Sequence, residues 1–165
     1  MSSVTEASKL SYAAIREYAE RVGEHYAIYD RLGTGDVRDL VRKLGGTVAY
    51  GDSQESLHVN GPGDFIIYLP HVTSSRRDRF TIAHELGHYF LHYLHPERDS
   101  AASFGRGSRN DAETQANVFA SSLLMPEEKF KRAYARCAGD VFAIARIFDV
   151  SPAAVEVRAE VLGLK

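Results

Sequence analysis

The sequence predicts an α+β fold, and three observations carry that prediction. Apolar residues recur at helical spacing up to Leu44, at strand spacing as far as Leu69, and at helical spacing again beyond Ser74. No stretch repeats, and no linker is long enough to separate independent units. At 165 residues, 44% of them hydrophobic, the chain can bury roughly two thirds of its unfolded surface around one core. The expected organisation is a single domain, 1–165, with N-terminal helices (1–45), a core unit (46–138) and C-terminal helices (139–165).

Between Ser8 and Asp30, the residues Leu10, Ala14, Ile15, Tyr18, Val22, Tyr26 and Tyr29 lie three or four apart, the mark of one amphipathic helix face. Gly33 and Gly35 end it. Asp36 can cap a shorter helix carrying Val37, Leu40, Val41 and Leu44, closed by Gly45 and Gly46. Thr47–Tyr50, Leu57–Val59 and Phe65–Leu69 are short and rich in β-branched and aromatic residues, with turn residues between them. They predict a small, three-stranded antiparallel sheet.

A helix is expected to start between Ser74 and Asp78 and to run to about His95, since Pro96 disfavours helix in the residue before it. Residues 96–110 lack any period and read as a loop. A helix from Asp111 to Leu124 follows, then a break at Met125-Pro126, a helix to about Cys137, and two short helices flanking Asp149–Ser151. With Ser151 as N-cap and Pro152 in the first helical position, this last pair looks like a helix-turn-helix.

Net charge is −2 and the pI about 6.4, so no global positive field exists to hold nucleic acid or an anionic membrane. The helix-turn-helix-like segment follows suit: from Gly139 onward Arg146, Arg158 and Lys165 face Asp140, Asp149, Glu156 and Glu160. A packing or protein-docking role is expected there in place of sequence-specific DNA binding. The single cysteine, Cys137, excludes an internal disulfide and reads as a small packing residue. The start MSSVTEASKL lacks the pattern of a secretory signal, and the longest apolar run is Phe65–Leu69, so a cytoplasmic protein with no membrane span is expected.

His84-Glu85-Leu86-Gly87-His88 is an HExxH string inside the long predicted helix. At about 100° per residue the two histidines lie roughly 40° apart and one turn apart, so both imidazoles can reach one metal ion. Glu85 falls to one side, placed to take a proton from a water that a Zn²⁺ there would acidify. A catalytic site needs a third protein ligand. Metzincin spacing would put Gly and His at positions 91 and 94, which are Leu91 and Leu94. His92 lies a further turn along the same axis, too far to share the ion, and reads as an outer residue or a solvent-facing one. Glu113 opens a stripe of Ala116, Asn117, Ala120 and Leu124 whose small residues permit a close helix approach. Spacing alone leaves Glu113 open between a ligand across that interface and a carboxylate favoured by the helix dipole. Tyr89, Tyr93, His71, Arg79 and Arg158 are all candidate donors to a developing oxyanion, with nothing in the sequence to choose among them.

The run RDRFTIAHELGHYFLH (Arg77–His92) followed by ETQANVFASSLLMP (Glu113–Pro126) resembles the ImmA/IrrE family of HExxH zinc metallopeptidases. The resemblance extends to DFIIYLP before it and AIARIFDVSPAAVEVRAEVLGL after it, covering most of the chain from about Gly46. It implies Zn²⁺ on His84, His88 and Glu113 in a gluzincin-like set, with Glu85 as general base. It further implies a helix-turn-helix repressor protein as substrate, whose removal switches on phage, mobile-element or stress-response genes. Some members carry an additional sensor domain. This chain stops at Lys165, so any signal is expected to act elsewhere. Two other readings fit the residues: a non-catalytic DNA- or protein-binding regulator with a structural metal site, and a small-peptide hydrolase.

Overall fold

The computed structural model describes residues 2–4, 6–105 and 110–165. Helix α1 (Tyr12–His25) starts where the Ser11 side chain accepts a hydrogen bond from the Ala14 amide, four residues later than the apolar period suggested. Asp36 caps α2 (Val37–Lys43) as expected, accepting from the Asp39 amide. Strands β2 (Gly46–Tyr50), β3 (Glu55–Gly61) and β4 (Asp64–Leu69) occupy the three predicted segments. Alternation along β4 sends Phe65, Ile67 and Leu69 into the core.

The α+β class holds, but the sheet is larger and its pairing mixed. A two-residue strand β1 (Ser2–Ser3) and a strand β5 (Ala102–Gly105) extend it to the order β1-β5-β3-β4-β2 among the described residues. β3 runs antiparallel to both β4 and β5, whereas β2 lies parallel to β4 and β1 parallel to β5. The predicted antiparallel meander is therefore corrected. Asn60 to Gly63 form a tight hairpin that puts β4 beside β3, and β2 can then reach only the far side of β4. Its seat there demands Gly46, because a Cβ on that residue would lie 2.3 Å from the Phe65 ring. β5 also corrects part of the predicted loop 96–110; of that loop, 106–109 lie outside the described residues.

α3 (Ser75–His88) begins at the Ser74 cap and packs against α4 (Asp111–Leu124), which in turn packs on α1. The long predicted helix does not keep α geometry to His95. From Tyr89 to Leu94 it widens to a π-helical turn, with the His95 amide donating to the Phe90 carbonyl. That turn keeps Tyr89, Phe90, Leu91, His92 and Tyr93 all buried. Gly87 sits where α3 meets α4: a Cβ there would be 3.1 Å from the Ala116 backbone, tighter than most packed contacts, so one helix would have to give way.

Beyond the Met125-Pro126 break come α5 (Glu127–Arg136), α6 (Val141–Phe148) and α7 (Pro152–Val161). Phe130 and Phe148 stack in the core at 5.7 Å, and Cys137 packs against the same core, half-buried. Among the described residues no helix is long and apolar enough to cross a membrane.

Candidate metal centre

α3 and α4 meet over a cluster of buried polar side chains. His84, Glu85 and His88 offer ligand atoms that all lie within 4.8 Å of one another. Glu113 comes to them from the first turn of α4, where the Asn110 side chain caps the helix by accepting from the Glu113 amide. Its Oε1 lies 3.4 Å from His84 Nε2, and its Oε2 is in hydrogen-bond contact with His88 Nε2. One carboxylate thus meets the same ring nitrogen of both histidines. The dipole-favoured alternative for Glu113 places no such demand on the side chain.

The other ring nitrogens are held from behind. His84 Nδ1 lies 2.7 Å from Asn117 Oδ1, one turn past Glu113 on α4. His88 Nδ1 lies 2.9 Å from His92 Nδ1, and His92 Nε2 lies 2.8 Å from Gln115 Oε1. Phe104 of β5 stacks on His88 at 5.2 Å. With both Nδ1 atoms occupied, both Nε2 atoms converge on one point, the arrangement that a metal with outer hydrogen-bonded histidines requires.

The electrostatics follow the geometry. Burial would raise the Glu113 pKa, but hydrogen bonds from His84 and His88 outweigh it and hold the group down at about 2. For His84 burial opposes the charged form, yet the Glu113 and Glu85 carboxylates override it and raise the pKa. Glu85 is driven upward by burial, with His84, His88 and the Ser56 hydroxyl of β3 pulling it back in part. Its Oε1 is buried and has no hydrogen-bond partner among the described residues. An orphaned carboxylate oxygen beside two imidazoles and a second carboxylate fits a site built around a divalent cation and its solvent.

His92 is 2% exposed, so of its two expected placements the solvent-facing one is excluded. Four of the five candidate oxyanion donors make hydrogen bonds elsewhere in the fold, although Arg158 Nη2 is buried with no partner among the described residues. The Tyr89 hydroxyl accepts from the Gly63 amide, and Tyr93 donates to the Ser100 carbonyl. Arg79 donates to the carbonyls of Gly35, Phe148 and Asp149, and Arg158 to that of Met125. His71 is exposed at the end of β4. Asn117, Gln115 and Ser56 received no role from the sequence, although Asn117 lies on the Glu113 stripe, four residues on.

Residues 37–160 match the peptidase M78 family, described as an IrrE N-terminal-like domain. The metallopeptidase ImmA of Bacillus subtilis (strain 168) is 34% identical over 67 residues, which make up 40% of this chain and 39% of that relative. The matched stretch therefore spans well under half of either protein.

Proposed function

The chain belongs to the peptidase M78 family, and from that premise we propose that it is a cytoplasmic zinc-dependent endopeptidase whose substrate is a helix-turn-helix repressor protein. One observation carries the reading: His84, His88 and Glu113 present their ligand atoms to one point, next to an unpartnered buried oxygen of Glu85. His84 and His88 would hold Zn²⁺ through Nε2 and Glu113 through its carboxylate. The bound ion supplies Lewis acidity to the scissile carbonyl and to the attacking water.

The chain's own residues do the rest. Glu85 Oε1 accepts the proton of the attacking water, and its buried setting raises its basicity toward the working pH. The same carboxyl then hands the proton to the amine that leaves. Asn117 and His92 hold the two ligand rings so that no reorientation accompanies the reaction. A repressor substrate rests on the resemblance to the ImmA/IrrE family; cutting it would relieve repression of phage, mobile-element or stress-response genes.

The test pairs wild type with Glu85→Gln on a repressor encoded beside the gene. Glu85→Gln should retain zinc and lose about 10²- to 10⁴-fold in cleavage rate, because an amide cannot take up the proton. Equal cutting by both proteins would overturn the hydrolytic mechanism, and a repressor left intact by zinc-loaded wild type would overturn the substrate.

A further inference from the structure

We infer that His92 and Gln115 are positioning residues that hold His88 in its Nδ1–H form, and that Ser8, in the segment preceding the family match, locks the chain of bonds in place. The inference rests on the metal-site reading above, in which His92 holds the His88 ring, and adds Gln115 and Ser8 to it.

The argument starts at the far end. Ser8 and Gln115 are 107 residues apart, yet the Gln115 amide pairs with both backbone groups of Ser8. The Ser8 amide donates to Gln115 Oε1 at 2.9 Å, Gln115 Nε2 donates to the Ser8 carbonyl at 2.9 Å, and the Ser8 hydroxyl adds a third contact to Oε1 at 3.2 Å. Turning the amide over would set donor against donor and acceptor against acceptor, so the position of Oε1 is fixed. That oxygen carries no proton. The proton in the 2.8 Å bond to His92 must therefore sit on His92 Nε2.

A neutral imidazole carries one N–H, which leaves His92 Nδ1 as an acceptor. The atom facing it at 2.9 Å is His88 Nδ1, which must then donate. With its proton assigned to Nδ1, His88 would offer a bare Nε2 to a zinc ion at the point shared with His84 and Glu113, in place of the hydrogen bond that Nε2 makes to the Glu113 carboxylate when no ion is there. The opposite arrangement would leave two donors or two acceptors facing each other in a pocket where His88 and His92 are 3% and 2% exposed. The π-helical turn belongs to this device, since it keeps His92 buried against His88 after the α-helix has ended. Asn117 does the same for His84 in one step, so α4 aligns both rings, one directly and one through His92.

Zinc alone is the probe, added to full-length protein against a competing chelator, with the imidazole nitrogens followed by long-range ¹H–¹⁵N correlation. In zinc-loaded wild type, His92 should be protonated at Nε2 and His88 at Nδ1. His92→Phe should weaken zinc binding about 10- to 100-fold, the usual effect of losing an outer partner of a ligating histidine. His92→Gln, whose side-chain carbonyl can accept from His88, should recover most of the loss. Gln115→Leu should leave His92 as a mixture of tautomers, with a smaller loss of affinity. Should folded His92→Phe bind zinc as wild type does, or should wild-type His92 carry its proton on Nδ1, the inference falls while the metal site stands. If His92→Phe does not fold, the wild-type spectrum decides alone. A wild type that binds no zinc overturns the site itself.

Discussion

Two stretches of this chain look functional in sequence, the HExxH helix α3 and the helix-turn-helix-like pair α6–α7, and the fold treats their polar groups in opposite ways. In α3 the back of each histidine ring is fastened while its front nitrogen is turned toward the Glu113 carboxylate, and the buried Glu85 Oε1 has no partner among the described residues. In α6–α7 two charged side chains are tied into the scaffold. Arg158 is 2% exposed and donates to the Met125 carbonyl, and Asp149 at the turn is held by Arg76 and Arg79 of α3. What α7 leaves outside is Ala153, Glu156, Val157, Glu160 and Val161. A motif acts chemically when its polar atoms gather around a common point; Arg158 Nη2 is also buried without a hydrogen-bond partner among the described residues, but it is not part of such a cluster.

The sharpest test of that contrast is a double dissociation. Glu113→Ala should lose zinc by more than the roughly 100-fold that bounds outer-residue effects, since a ligand itself is removed. Chelation should lower the melting temperature of wild type and leave Glu113→Ala nearly unmoved, because metal binding to the folded state is linked to stability. Phe148→Ala, in the core of the other region, should destabilise by about 3–5 kcal/mol in denaturant while the folded fraction binds zinc like wild type. Parallel losses in both variants would mean that the two regions are not separable as described.

Much of this was readable because it is local. Asp36 and Ser151 each announce a helix start by side-chain chemistry, and each caps one. Half of the site is local too, since His84, Glu85 and His88 share two helical turns, and Glu113 is suggested by its small-residue stripe. What escaped depends on partners far away in sequence. The parallel pairing of β2 with β4 is decided by where the β3–β4 hairpin leaves a free edge, which strand composition does not encode. YFLHYL has the same apolar period whether it winds as α or π helix. No pattern links Ser8 to Gln115, because a backbone–amide pair leaves no signature in residue type.

A smaller effect probes the seam that lets α4 reach α3. Gly87→Ala gains helix propensity of up to about 1 kcal/mol but sets a methyl 3.1 Å from the Ala116 Cα and carbonyl oxygen. Those are backbone atoms and yield little, so overpacking at about 1–3 kcal/mol should win and the protein should be less stable. Zinc affinity should fall with stability, since parting the helices withdraws Glu113 from both histidines. A stabilised Gly87→Ala with unchanged zinc binding would show that close approach at this residue is not what assembles the site.

The smallest expected effect is on DNA, and it tests the other half of the contrast. Affinity for duplex DNA comes largely from Lys and Arg on phosphates, and sequence reading from side chains that reach base edges. α7 offers neither: its one arginine is inside, bonded to Met125, and its outward face holds two glutamates among Ala153, Val157 and Val161. Wild type should therefore retard duplex DNA weakly at physiological salt and without sequence preference. Glu156→Lys with Glu160→Lys changes only exposed positions, so stability should stay within about 0.5 kcal/mol. The pair should add salt-sensitive binding that is equal for all sequences, as phosphate contacts alone provide. Electrophoretic mobility shift across a salt series separates the cases. Tight retardation of one operator by wild type, lost in the double variant, would make α7 a recognition helix after all and the two regions alike in having a function of their own.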